Sequence, residues 1–147
     1  MNSSSKKRRV VVTDSTFPNV DAERAAAEAQ GAHFEAFQCT SEQEVKEAVE
    51  GADVALVQFA PMTAAAIGGL APGAGIVRYG IGFDNIDLKA AFARGHEVGY
   101  VPDYCTAEVA DHTVSMLLAA LRKLPQLDAS VRKGDWKAVG GAEPRKP

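Results

Sequence analysis

Gly80 and Gly82 stand two apart in the stretch Arg78 to Asp87 (RYGIGFDNID), directly after the apolar run Gly75 to Tyr79. Glycine reaches backbone angles closed to other residues, so a loop built on two of them can turn several amide N–H groups toward one point. Amides that converge at the carboxyl end of a strand bind a carboxylate or a phosphate without needing a charged side chain. Three accounts of the stretch compete: an anion-binding turn, a plain structural turn and a dinucleotide fingerprint. For the fingerprint, Gly80-x-Gly82 follows a strand and precedes a helix, and Asp103 stands about where a ribose-binding acid would. Against it, position 85 is Asn rather than the third glycine, and the polar turn Asp84 to Asp87 delays the helix. The anion-binding turn is the favoured account.

Other residues around the stretch admit plainer readings. Asp84, Asn85 and Asp87 have short side chains that bond nearby amides, which favours turn and cap roles over chemistry. Arg78, inside a strand, favours a paired structural role, because burying a guanidinium unpaired is costly. Tyr104, just after a strand and just before a long helix, is either a hydrogen-bond donor to a ligand or a packed loop aromatic. Glu108 and His112 share a helix face at i and i+4, yet two residues do not make a metal site. Cys39 and Cys105 lack partners at zinc spacing and read as free thiols, while His33, His96 and His112 are scattered. No metal site and no nucleophile with a neighbouring base is visible, so no catalytic residue is assigned.

The bulk properties narrow the partners. The 147 residues suit one domain with a continuous core, and 46% hydrophobic with 24% charged residues is ordinary for a soluble protein. A net charge of −3 argues against nucleic acid as the main partner. The basic cluster Lys6 to Arg9 follows a Ser-rich start and reads as a frayed terminus, with residues 1–8 disordered. No apolar run approaches the roughly 20 residues of a membrane span and no signal-peptide core is visible, so the expectation is a cytoplasmic protein with no membrane partner.

The elements that must position the glycine loop follow from periodicity and punctuation. Arg9 to Thr13 is a β-branched strand, Asp21 to Gln30 an Ala- and Glu-rich helix stopped by Gly31, and His33 to Gln38 a second strand at an edge. Ser41 and Glu44 form a capping box that opens a helix to about Glu50. Ala52 to Phe59 is a buried strand, Thr63 caps a short helix through Leu70, and Gly75 to Tyr79 is the fourth strand. Asp87 caps Leu88 to Arg94, and Glu97 to Val101 is the fifth strand. Strands and helices alternating at this spacing predict an α/β, flavodoxin-like sheet of five parallel strands, order 2-1-3-4-5, with helices on both faces. Ligands of such sheets bind beyond the carboxyl ends of the strands, where the loops 14–18, 59–62, 80–85 and 103–106 gather.

The region Thr106 to Leu124 carries two adjacent apolar stripes, Ala110, Val114, Leu117, Leu118 and Leu121 beside Val109, Thr113, Met116 and Ala120. So wide an apolar face on a helix of roughly 27 Å predicts packing beyond the five strands. Pro125 is expected to bend or break it before a further helix, Leu127 to Lys133, that ends at Gly134. The tail Gly140 to Pro147 carries no core pattern.

RYGIGFDNID, then VPDYCTAEVADHTVSMLLAALRKL (Val101 to Leu124), then KGDW (Lys133 to Trp136) resembles the D-isomer-specific 2-hydroxyacid dehydrogenases. That family includes phosphoglycerate dehydrogenase, glyoxylate reductase and the C-terminal-binding corepressors. The resemblance is specific from about Gly75 to Ala142 and only architectural before it. It implies a substrate domain over residues 9–103, crossover and dimerisation helices over 104–134, and a linker over 135–147 toward an absent NAD-binding domain. It further implies that Gly80, Ile81, Gly82 and Tyr104 face the substrate, with the Ile81 and Gly82 amides holding its carboxylate. Ile81 and Thr113 match positions that touch the nicotinamide of NAD or NADP, although Ile81 lacks the hydroxyl often found there. Catalytic Arg, Glu and His of the family all lie beyond the point where this chain stops. The expectation is therefore the substrate half of a dehydrogenase for a small 2-hydroxy or 2-oxo acid, a homodimer through Thr106 to Lys133, inactive alone and without tightly bound cofactor. Two competing readings are a non-catalytic dimerising module and a stand-alone flavodoxin-like binder of a phosphorylated ligand.

Overall fold

A computed structural model describes residues 7–136. Residues 1–6 of the basic start and residues 137–147 of the tail lie outside the described residues. The chain divides into two compact units, one running to Tyr104 and one from Cys105 onward, and each is described by itself.

The first unit alternates strand and helix: β1 (Arg9–Val12), α1 (Asp21–Ala29), β2 (His33–Ala36), α2 (Glu42–Val49), β3 (Val54–Val57), α3 (Ala64–Ile67), β4 (Gly75–Arg78), α4 (Leu88–Ala93) and β5 (Glu97–Tyr100). The strands form one sheet of order β2-β1-β3-β4-β5 with every pairing parallel, as the spacing predicts. Val11, Ala55, Val57 and Ile76 face one side, where they pack with Val45 and Val49 of α2, Ala66 and Ile67 of α3 and Ala91 of α4. Val12 and Phe34 face the other side, against Ala27 of α1. Each strand thus sends alternate side chains into opposite layers.

Local chemistry sets the boundaries. The Ser41 hydroxyl accepts from the Glu44 amide at 3.3 Å while the Glu44 carboxylate accepts from the Ser41 amide at 3.1 Å and the Thr40 amide at 2.7 Å. These bonds, the Thr40 amide foremost, hold the Glu44 carboxyl below the usual range. Thr63 and Asp87 cap α3 and α4 as anticipated, by accepting from the amides of Ala66 and Ala90. Edge strand β2 keeps Glu35 by pairing it with Arg9 of β1.

In the second unit the helices differ from expectation. The long helix, α5 (Thr106–Leu121), ends three residues early, giving about 24 Å rather than 27 Å. Lys123 then takes left-handed angles (φ 52°), and α6 (Leu124–Arg132) begins with Pro125 inside its first turn. Proline is tolerated there because a first-turn N–H has no intrahelical acceptor. The break falls at residues 122–123, just before Pro125, whose ring would clash with the Leu121 carbonyl in a continuous helix. None of the residues of α5 or α6 is buried.

Candidate anion-binding site

The glycine loop leaves β4 at the carboxyl edge of the sheet and is pinned at both ends. At its start Gly80 adopts φ 146°, its amide donates to the Arg78 carbonyl at 2.9 Å, and its own carbonyl accepts from the Val101 amide. At its far end the Asn85 side-chain amide donates to the Ala60 carbonyl at 2.9 Å. The Met62 amide donates to the Asn85 carbonyl at 2.8 Å, and the Asp87 amide returns a bond to Met62 at 2.9 Å. Asn85 and Asp87 thus hold the turn and start α4, as their short side chains suggested. Between these anchors the amides of Ile81 and Gly82 donate to no acceptor among the described residues.

Arg78 gives this loop its charge. Its side chain folds back so that Nη1 donates to the Tyr79 carbonyl at 3.0 Å and fills the space a Cβ on Gly80 would need. Its Cζ sits 5.7 Å from the Phe59 ring centre, and its Nε is buried without a hydrogen-bond partner. The sequence favoured a paired Arg78, but no carboxylate lies within ion-pair distance of it among the described residues. An uncompensated guanidinium beside free backbone donors favours an anion as the missing partner.

The guanidinium borders a cavity of about 240 Å³ whose other walls include Phe17, Gln58, Phe59, Gly80, Val101 and Tyr104. Asp14 shapes its floor: the buried carboxylate accepts from the Thr13 hydroxyl at 2.9 Å, the Gln58 amide at 3.0 Å and the Phe59 amide at 2.6 Å. Gln58 in turn accepts from the Thr16 amide, which ties the loop after β1 to the end of β3. Tyr79 meets Phe17 edge to face at 5.4 Å, and its hydroxyl is buried with no partner in hydrogen-bond geometry. Burial, followed by the nearby charges of Glu23 and Asp14, raises its pKa, so it remains a phenol at neutral pH. A second cavity, about 300 Å³ beside Phe37, Cys39 and Glu44, has no cation in its wall, and its Glu44 carboxylate is already engaged.

Of the residues singled out in the sequence, Gly80 and Tyr104 line the cavity, whereas Ile81 and Gly82 present their amides on the adjoining exposed loop. Thr113 belongs to the other unit, where its hydroxyl donates to the Val109 carbonyl at 2.7 Å. Arg78, Phe59 and Gln58 were missed as site residues. Only the position of the 59–62 loop at the carboxyl edge pointed toward one of them, Phe59. Among the described residues no group of three or more His, Cys, Asp or Glu side chains could hold a metal ion, and no helix is long and apolar enough to cross a membrane.

The chain is similar to known proteins in sequence and in fold. A family profile described as "D-isomer specific 2-hydroxyacid dehydrogenase, catalytic domain" matches residues 10–139. D-3-phosphoglycerate dehydrogenase of Archaeoglobus fulgidus is 47% identical over 62 residues, 42% of this chain and 12% of that protein. Glyoxylate reductase of Pyrococcus furiosus is 42% identical over 65 residues, 44% of this chain and 19% of that protein. The solved D-lactate dehydrogenase of Aquifex aeolicus, complexed with NAD and lactic acid, shares the fold with a TM-score of 0.74 at 22% identity. That match covers 93% of this chain and 41% of that one. The chain thus spans less than half the length of these relatives.

Proposed function

The chain belongs to the D-isomer specific 2-hydroxyacid dehydrogenase family, and from that premise we propose that it is the substrate-binding portion of an NAD-dependent oxidoreductase acting on the CH–OH group of a small 2-hydroxy acid. The carrying observation is the unpaired Arg78 guanidinium beside a loop whose Ile81 and Gly82 amides have no acceptor. In this reading the two amides take the substrate carboxylate, Arg78 supplies the opposite charge, and Tyr104 with Phe59 walls the rest of the molecule from water. Glyoxylate and D-3-phosphoglycerate, named for two relatives, set the substrate class: a short acid carrying oxygen at C2.

The described residues do not fit the phosphates of a dinucleotide. A pyrophosphate after the glycine loop would need open amides at the N-terminus of α4, where the Asp87 carboxylate already accepts from the Ala90 amide. Ile81 offers the nicotinamide an apolar side chain, and the Thr113 hydroxyl proton is engaged within its own helix. No histidine lines the cavity to move a proton. The 147-residue chain accordingly binds the acid, holds no cofactor tightly and turns nothing over alone. In the same reading, 9–103 serve the substrate and 104–134 crossover and self-association, while most of 135–147 lies outside the described residues. The two apolar stripes of α5, with Leu117 57% and Leu121 60% exposed, support a homodimer through Thr106 to Lys133.

Calorimetric titration with glyoxylate and pyruvate tests the reading. Binding is expected, weakened by roughly 10- to 100-fold in Arg78→Gln, the range for a lost charge-assisted hydrogen bond, with no consumption of NADH. Binding of phosphate esters without any response to 2-oxo acids would instead favour the stand-alone phosphorylated-ligand module. NADH-dependent turnover by this chain would refute its proposed inactivity.

A further inference from the structure

A second polar cavity lies at the opposite edge of the sheet. It measures about 320 Å³ and is lined by Ile67, Gly68, Leu70, Pro72, Arg94 and His96. These residues come from the end of α3, the loop before β4 and the loop before β5. In a parallel sheet both loops lie at the amino-terminal ends of their strands, about one strand length, roughly 13 Å, from the carboxyl edge.

Two polar groups without partners among the described residues distinguish this cavity from a packing gap. His96 is 5% exposed, and its Nδ1 is buried with no hydrogen-bond partner, a cost that a stable core avoids. Arg94 forms no ion pair and no side-chain hydrogen bond among the described residues. The missing side chain of Gly68 lets the Arg94 guanidinium pack close: a Cβ there would stand only 3.2 Å from Arg94 Nη2. Glu50, at the end of α2, places its Oε2 2.7 Å from where a Gly69 Cβ would be and forms no ion pair with Arg94. The remaining wall, Ile67, Leu70 and Pro72, is apolar.

We propose that this cavity binds a small carboxylate with an apolar body, its head between Arg94 and His96 and its body against Ile67, Leu70 and Pro72. The chemistry differs from that of the carboxyl-edge site, where backbone amides and aromatic rings surround the anion. Here a guanidinium and an imidazole face an aliphatic wall, which selects for a branched alkyl acid over a short hydroxy acid. A ligand bound to the folded state alone also stabilises it by mass action.

The test uses the 147-residue protein carrying Arg78→Gln, so that the carboxyl-edge site is weakened and the two sites are read separately. 4-Methylpentanoate is titrated while the NMR signals of the His96 ring and the Arg94 Nε–H are followed, with the amides of Ile81 and Gly82 reporting the other site. Saturable movement of the His96 and Arg94 signals is expected, with the uncharged 4-methylpentanamide producing little. Two further variants guard against a purely structural role. Arg94→Gln and Gly68→Ala should each weaken binding by about tenfold or more. Gly68 has right-handed angles (φ −63°, ψ −21°), which alanine adopts readily, and the close contact of its Cβ falls on the flexible end of Arg94. The proposal is overturned if the His96 and Arg94 signals stay still up to about 20 mM, a concentration that would reveal even millimolar affinity. Equal response to the amide, or unchanged binding in Gly68→Ala, also overturns it. None of these results bears on Ile81 and Gly82.

Discussion

Gly80 is the residue on which the carboxyl-edge site turns, and two constraints meet there. Its φ of 146° is strained for any residue with a Cβ, and that Cβ would also displace the Arg78 guanidinium. Gly80→Ala is therefore expected to lose about 1–3 kcal/mol of stability in urea unfolding and to lose acid binding with it. Gly82→Ala is the control, since its Cβ would meet only Asp84 Oδ2 at 3.6 Å; its stability should stay within about 0.5 kcal/mol. Tyr79 makes a different test. Its unpartnered hydroxyl adds no hydrogen bond, so Tyr79→Phe should be neutral or slightly stabilising at pH 7. Because the folded-state pKa is raised, the native chain keeps a proton that the unfolded chain gives up above 10.0. Wild-type stability should then fall as pH rises past that value, and the Phe variant should lack that part of the fall in alkaline unfolding.

Among the elements, those with strong local chemistry were legible in sequence. The β-branched runs, the glycines that stop α1 and α4, and the Ser41–Glu44 box each specify a boundary with little tertiary help. Ser41→Ala should destabilise by about 1 kcal/mol. Glu44→Gln should remove a contribution that is present above the unfolded carboxyl value of 4.5 and lost as pH falls through the lower folded value. Acid unfolding of the two proteins side by side checks the sign. What stayed illegible depended on distant partners. Pro125 marks the break, but its position does not show in the sequence: Lys123 takes left-handed angles, so the proline falls in the first turn of α6 rather than before it. Arg78 looked paired because buried guanidinium groups usually are, and only the folded sheet reveals that no carboxylate reaches it. The Asp14 bonds to Gln58 and Phe59 span 44 and 45 residues, beyond any local pattern.

At the scale of the whole molecule, one sheet carries the proposed anion site at its carboxyl edge, and a separate unit presents apolar helices with no buried residue. Self-association is expected to run through those helices, so Leu117→Glu with Leu121→Glu should shift sedimentation equilibrium toward monomer while leaving acid binding intact. The central claim is that the loop 80–82 with Arg78 holds the carboxylate of a small 2-hydroxy or 2-oxo acid. An amide NMR titration of the 147-residue protein with glyoxylate tests it most directly. The account expects saturable shifts at the Ile81 and Gly82 amides and at the Arg78 Nε–H, with the two amide shifts needing roughly 10- to 100-fold more glyoxylate in Arg78→Gln and lost in Gly80→Ala. It is contradicted if those three signals stay still while glyoxylate binds elsewhere on the chain or not at all.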